Sequence, residues 1–507
     1  MELGPITRRG FLVQAALAAL TPRLGFSLTQ PGPLRVRTTR GWLSGEALED
    51  GVRVFRGIPF AQPPVGPLRF RPPQPVQSWQ GERQATVFAP AAMQSGRTAP
   101  QSEDCLYLNL WTPAGKGPFP VFVWIHGGGF LGGRSSEPVL DGAAMARAGI
   151  VCITVAYRLG VLGFMDMEPL LGPSYAGSAN LALRDLMAAL EWVRDNAADF
   201  GGDPGQVTIG GESAGAKLTG LLMGVPAARP LFQQMISQSG GAERIWPREH
   251  SRAIAASFQE ELHKHSIEDA RTAPAAELIA AQQEFLARWP EHFPLRAEID
   301  GALIPRLPVE TIAAGSTRGK RLLLGTMRDE SAMFIGPHPK HDPVAGDLGN
   351  MTQPRFAELA AHYRTLYPEL NDEELRIRAL TAEEYWIPSM RLAEAHEKGG
   401  GHSWVYRVDF AESSGFYRGY AYHSLDVPLV WDHPSGTVAN AADEAALAHQ
   451  MNHAWQSFLR GAAPTAPGLP PWPAYERQTR PTMIFDHGSH VEEKPHEAEL
   501  QLWKNVL

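Results

Sequence analysis

Gly211-Glu212-Ser213-Ala214-Gly215 sets a serine between glycines two residues away on each side. A strand-like run precedes the motif and a helix-like run follows it. In that context the pattern implies a sharp strand-to-helix turn, with the hydroxyl standing above a sheet and able to attack a carbonyl. Such attack builds negative charge on the carbonyl oxygen, so hydrogen-bond donors must already face that atom. His126-Gly127-Gly128-Gly129-Phe130 can supply them, because glycines let backbone N–H groups approach with no side chain in the way. A serine hydroxyl is a poor nucleophile at neutral pH without a base, and the base needs an acid to fix its tautomer. In the fold that carries this turn, the chain order is serine, acid, histidine. Asp329-Glu330 and Tyr422-His423-Ser424-Leu425-Asp426 follow in that order. Spacing alone chooses neither between Asp329 and Glu330 nor between His423 and the other late histidines.

These parts need a rigid frame. Residues 121–125, 150–157, 207–209 and 232–237 read as short, continuously apolar strands. Leu183, Leu186, Met187, Leu190 and Val193 recur at helical spacing, and 214–223 reads as a helix. From about 35 to 245 strand-like and helix-like patterns alternate with little spacer. Further strands are expected at 321–325, 403–410 and 482–485. The alternation predicts an α/β chain with a large mostly parallel central sheet and helices on both faces, and the serine turn set in such a sheet is the motif of the α/β-hydrolase class. Segments 247–314 and 354–398 are rich in Ala, Glu and Leu with helical periodicity, and are expected as insertions over the active site. No internal repeat or long linker divides residues 31–507, which read as a single domain.

Bulk properties exclude several other functions. The 507 residues carry a net charge of -8 without long charged runs, so no basic footprint for nucleic acid exists. Only Cys105 and Cys152 are present, which rules out a disulfide framework or a cysteine zinc site. A Cys105–Cys152 bridge is conceivable, but two small buried thiols fit the apolar run around Cys152 better. His338-Pro339-Lys340-His341-Asp342 has metal-ligating residue types, yet its Gly/Pro-rich surroundings lack helical i, i+4 geometry and suit a solvated loop. No later stretch is long and apolar enough for stable membrane insertion. Residues 1–30 have the parts of an export signal: Thr7-Arg8-Arg9-Gly10-Phe11-Leu12, an apolar run over 13–20, then Thr21-Pro22-Arg23. The paired arginines are similar to a twin-arginine signal, which predicts an exported protein, periplasmic or secreted.

Longer matches resolve the open choices. Glu103-Asp104-Cys105-Leu106-Tyr107-Leu108-Asn109-Leu110-Trp111 resembles the N-terminal signature of the type-B carboxylesterase/cholinesterase family. The stretch from Phe200-Gly201-Gly202-Asp203-Pro204 through Gly215 resembles its active-site signature. Shorter likenesses include Arg56-Gly57-Ile58-Pro59-Phe60-Ala61, Tyr157-Arg158-Leu159-Gly160, Gln238-Ser239-Gly240 and Trp472-Pro473-Ala474-Tyr475. The resemblance implies Ser213 as nucleophile, Glu330 as acid and His423 as base. It implies Gly128, Gly129 and Ala214 as oxyanion donors, with Glu212 and Ser239 as polar neighbours of the triad. The implied reaction is hydrolysis of a small-molecule carboxylic ester through an acyl-serine, with no metal or organic cofactor. A lipase and a non-catalytic binding member of the same family are the alternatives. Two departures stand out. The cysteine usual in the family upstream of the first signature is missing from Pro90-Ala91-Ala92-Met93-Gln94, and a conserved-type Gly-Asn-x-Gly-Leu stretch reads Gly177-Ser178-Ala179-Asn180-Leu181.

Overall fold

The computed structural model describes residues 34–96, 100–335, 350–433 and 441–504. The export-signal segment and the stretch from His338 to Asp342 lie outside the described residues.

Among the described residues, twelve strands run side by side in one sheet. In chain order they are β1 (Leu34–Arg37), β2 (Trp42–Ala47), β3 (Arg53–Pro59), β4 (Tyr107–Thr112), β5 (Phe119–Ile125), β6 (Val151–Val155), β7 (Gly202–Glu212), β8 (Gln234–Gln238), β9 (Arg321–Met327), β10 (His402–Val408), β11 (Thr482–Phe485) and β12 (His490–Glu492). The spatial order is β1-β2-β3-β4-β6-β5-β7-β8-β9-β10-β11-β12, and a short thirteenth strand, Glu82–Gln84, pairs with β2. From β6 to β11 every neighbouring pair is parallel, whereas β1 to β4, the β4–β6 junction and β12 are antiparallel.

The parallel strands are buried on both faces, and alternation assigns each side chain to one of two cores. Val121, Val123 and Ile125 of β5 join one apolar cluster; Phe122 and Trp124 join the other. Leu322 and Leu324 of β9 go to the first and Leu323 to the second. Helices α1 (Leu181–Asn196) and α2 (Ala214–Gly224) pack on the first face. Helix α10 (Ala441–Leu459) packs on the second through Met451, Trp455 and Phe458.

The segments expected as helical insertions hold α3 (Arg248–Lys264), α4 (Ala275–Arg288) and α5 (Pro308–Ala313), then α6 (Gln353–Leu366), α7 (Asp372–Thr381) and α8 (Ile387–Lys398). Between α7 and α8 the chain widens into a π turn, Ala382–Trp386. Such single turns are uncommon and often mark functional sites.

One expectation needs correction. Strand and helix do not alternate from residue 35 onward: β1 to β4 form an antiparallel ribbon, and among the described residues no α-helix intervenes before Ala143. Short half-polar strands such as Leu34–Arg37 and Trp42–Ala47 carry too weak a period to separate from helix by pattern.

Candidate active site

Ser213 sits between the end of β7 and the start of α2 with φ 53° and ψ -121°, a conformation that costs a non-glycine residue free energy and persists only when its surroundings enforce it. They do so here. The Ser213 amide donates to the Gln238 carbonyl (2.9 Å), and the Ser213 carbonyl accepts from the Lys217 amide (2.9 Å). A Cβ at Gly215 would collide with the Ile125 and His126 carbonyls, so only glycine lets α2 lie this close to β5. The Ser213 side chain is 8 % exposed, and its Oγ has no hydrogen-bond partner among the described residues.

The loop after β5 lies against this turn. A Cβ on Gly127 would meet the Glu212 carboxylate at 2.5 Å and the Ser213 Cβ at 3.2 Å. Gly128 and Gly129 take φ +116° and +62°, and a Cβ on Gly128 would strike the Gly132 carbonyl. The Gly128 carbonyl accepts from Leu131 and Gly132 (3.1 and 2.9 Å), which curls the loop. Its own amide and that of Gly129 donate to no acceptor among the described residues. The Ala214 amide is the first of α2 and has no partner within the helix. Three amides without an acceptor among the described residues therefore lie in the two segments that meet at this turn. Tyr157 steadies the start of the loop, donating to the His126 carbonyl (2.8 Å) while its ring stacks on the His126 ring.

The stretch that lacks the upstream cysteine is held in another way. Gln94 bonds both backbone groups of Gly133, its Nε2 donating to the carbonyl (2.9 Å) and its Oε1 accepting from the amide (3.0 Å). Cys105 and Cys152 are both buried free thiols.

His423 Nδ1–H donates to Glu330 Oε2 at 2.5 Å. The other Glu330 oxygen accepts from the Met327 amide (2.9 Å), so the carboxylate is anchored to the end of β9. Asp329 turns the other way: it pairs with Arg328 and accepts from the Ala421 amide (3.0 Å), fixing the loop two residues before the histidine. The choice that spacing left open is thus a choice between a residue that touches His423 and one that holds its loop. On the far side of the ring, Nε2 lies 3.1 Å from Glu212 Oε1, which also accepts from Ser424 Oγ (2.5 Å). Burial lowers the proton affinity of His423, but the carboxylates of Glu212 and Glu330 outweigh it and leave its pKa above the usual value. Burial raises the pKa of Glu212.

Ser239 stands at the end of β8 with φ 56°; its amide donates to the Gly325 carbonyl (2.8 Å), and its buried hydroxyl has no partner among the described residues. Nearby in chain order to His423, Asp426 accepts from Tyr406 Oη (2.7 Å), and burial pushes its pKa up to about 7.

A wall of rings faces this constellation. Phe334 and Tyr385 lie 5.1 and 4.7 Å from the His423 ring, centroid to centroid, and stack on each other. Phe293 approaches Phe334 and also covers Gly129, whose added Cβ would be 2.7 Å from its ring. Phe334 is 40 % exposed, the accessible member of the wall. Trp246 stands further out, its indole donating to the Pro294 carbonyl (2.7 Å). Sequence reading did not single out Phe293, Tyr385 or Lys217, although a lysine inside the apolar run of α2 was a visible signal.

Elsewhere, Glu261, His265 and Glu284 bring possible ligand atoms within 4.8 Å of one another. Arg288 and Lys264 already neutralise Glu261 there. Among the described residues no helix is long and apolar enough to cross a membrane.

A family model described as "Carboxylesterase family" matches residues 33–503. The para-nitrobenzyl esterase of Bacillus subtilis (strain 168) is 34% identical over 489 residues, covering 92% of this chain and 97% of that protein. The fumonisin B1 esterase of Sphingopyxis macrogoltabida is 34% identical over 474 residues, covering 88% and 85% respectively. Among solved structures, a PNB esterase superposes with a TM-score of 0.82 at 33% identity, covering 92% of this chain and 99% of its own. A Geobacillus stearothermophilus carboxylesterase gives 0.82 at 35% identity with the same coverage, 92% and 99%. With the family matched over nearly its whole length and the α/β-hydrolase architecture shared, the chain belongs to the type-B carboxylesterase/cholinesterase family and is a carboxylic ester hydrolase.

Proposed function

We propose that the protein hydrolyses small to medium carboxylic esters through an acyl-enzyme on Ser213, with His423 as base and Glu330 as the acid behind it. The observation that carries this reading is the meeting of a strained serine turn, the Glu330–His423 hydrogen bond and three unengaged amides in one place. In the proposed acylation, His423 Nε2 leaves Glu212 and takes the Ser213 proton as Oγ attacks the ester carbonyl. The oxyanion is received by the amides of Gly128, Gly129 and Ala214. His423 then protonates the departing alcohol, and a water activated by the same nitrogen cleaves the acyl-serine. Glu330 keeps Nδ1 protonated and the ring oriented throughout. Glu212 offers the imidazolium a second carboxylate, and Ser239 supports the strand ends beneath the turn.

The test is hydrolysis of p-nitrophenyl esters, acetate through longer chains, by wild type and Ser213→Ala. Loss of the serine should cost on the order of 10⁴-fold or more in kcat. A folded wild type that is inert on every ester, and takes up no organophosphate label at Ser213, would return the protein to the non-catalytic reading. A rate that jumps above substrate solubility would instead favour a lipase.

The proposal extends to the ends of the chain: residues 1–30 direct twin-arginine export and 31–507 form one catalytic unit. Replacing Arg8 and Arg9 by lysine should retain the protein in the cytoplasm; unchanged fractionation would sink the export reading.

A further inference from the structure

Lys217 is buried (3 % exposed) on α2, one helical turn beyond Ser213. A lysine in such a place is costly unless its charge is compensated. Its Nζ binds Glu384 of the π turn and lies 4.7 Å from the centroid of the Tyr385 ring and 5.7 Å from that of Phe293. Glu384 is held from other sides as well, by Arg244 (2.9 Å) and by the Asn350 amide (3.1 Å). Arg244 also binds Glu383 (2.8 Å). The π turn is therefore pinned to the helix that carries the serine, and the residue after the pinned carboxylate is Tyr385, whose ring packs on His423.

We infer that the buried Lys217–Glu384 pair is a positioning device that holds Tyr385 against His423, so that the base's ring orientation and proton affinity depend on a contact between α2 and the π turn. This inference rests on the proposed role of His423. From adjacent positions on the π turn, Glu384 reaches Lys217 and Tyr385 reaches the histidine. The charged and titratable groups around His423 are Glu330 after β9, Glu212 at the end of β7, Lys217 on α2 and Tyr385 on the π turn. Asp426 and Tyr406 act on the same two carboxylates. Around Lys217 stand Glu384, Arg244, Arg296 and His292.

The signs give the pair a signature that packing alone cannot produce. A cation near His423 disfavours the imidazolium, and an anion favours it. Lys217→Met removes the cation while Arg244 and Asn350 still hold Glu384, so His423 should bind its proton more tightly. Glu384→Gln keeps an acceptor for Lys217 and removes the anion, with the opposite result. The experiment measures kcat/KM for p-nitrophenyl butyrate against pH in the full-length protein. The acidic limb should rise by about half a pH unit or more in Lys217→Met and fall by a similar amount in Glu384→Gln. The double variant should return towards the wild-type limb. In each single variant kcat should fall about tenfold with KM moved less than about threefold.

A second readout does not need turnover: titration of the low-field proton resonance of His423 Nδ1–H by NMR in the same variants. Opposite displacements of that titration support the inference even if no ester is hydrolysed, an outcome that would sink the proposed function alone. Displacement in one direction for both variants, or none, overturns the inference and leaves the pair as a structural tie, whatever the melting temperature does.

Discussion

The two walls of the site are built differently. On one side, Ser213, Ala214 and the Gly127–Gly129 loop come from two short stretches, each attached directly to a central strand. Glycines make that wall, because backbone must pass close to backbone. On the other side, Phe293, Phe334 and Tyr385 come from three separate segments, and buried charges tie one of them to α2. The first wall is locked by backbone hydrogen bonds and excluded volume. The second depends on side chains meeting across long sequence separations. On these grounds change should be tolerated least where the serine sits and most where the rings face it, which makes the ring wall the expected place for substrate selection.

The comparison can be broken at several points, in descending order of expected effect. After the serine itself, the largest loss should come from Glu330→Gln, roughly 10³- to 10⁴-fold in kcat, because the amide cannot hold Nδ1 protonated. Activity within tenfold of wild type would remove Glu330 from the triad. Gly128→Ala should cost about 10²- to 10³-fold in kcat with KM little changed, since φ +116° and the Gly132 carbonyl leave no room for a methyl group. A fully active alanine variant would mean that this amide does not face the oxyanion.

The pH profile tests the base. The proposed mechanism requires neutral His423, whose pKa burial lowers but Glu212 and Glu330 raise above the usual value. The acidic limb of kcat/KM should therefore lie above about 6.5, with activity lost as pH falls through it. Glu212→Gln removes one of the two anions and should move that limb to lower pH by about one unit. A limb that stays in place would show that Glu212 is uncharged where His423 titrates. The smallest effect is expected from Phe334→Ala on the ring wall: a two- to fivefold change, roughly, in the ratio of kcat/KM between long- and short-chain esters. An unchanged chain-length profile would exclude Phe334 from the substrate surface.

Much of the sheet was legible because buried parallel strands are short, apolar and bounded by glycine. The strands expected at 321–325 and 482–485 are Arg321–Met327 and Thr482–Phe485. The helix expected over 214–223 is Ala214–Gly224. The antiparallel ribbon β1–β4 was not legible as such, since its partly polar strands take their partners from register and neighbours rather than from local pattern. Helix α10 was passed over although it carries Met451, Trp455 and Phe458 at helical spacing into the second core. Its long apolar periodicity was available in the sequence. The π turn was not, because no residue pattern in 382–386 distinguishes it from the helices on either side.

What the sequence determined by itself is the local chemistry: a serine turn that needs its flanking glycines, a glycine loop after a buried strand, and an acid and a histidine in the order that this fold requires. Those features are fixed by backbone sterics within a few residues, so they can be read along the chain. Spacing left open which of two adjacent acids reaches His423 until the family resemblance pointed to Glu330; only the tertiary structure decided that Asp329 holds the histidine's loop, that Gln94 bonds Gly133, and that Lys217 meets Glu384 beside the histidine. Each of those outcomes depends on the direction of a side chain across two packed elements, and no spacing rule along one strand of sequence contains that direction.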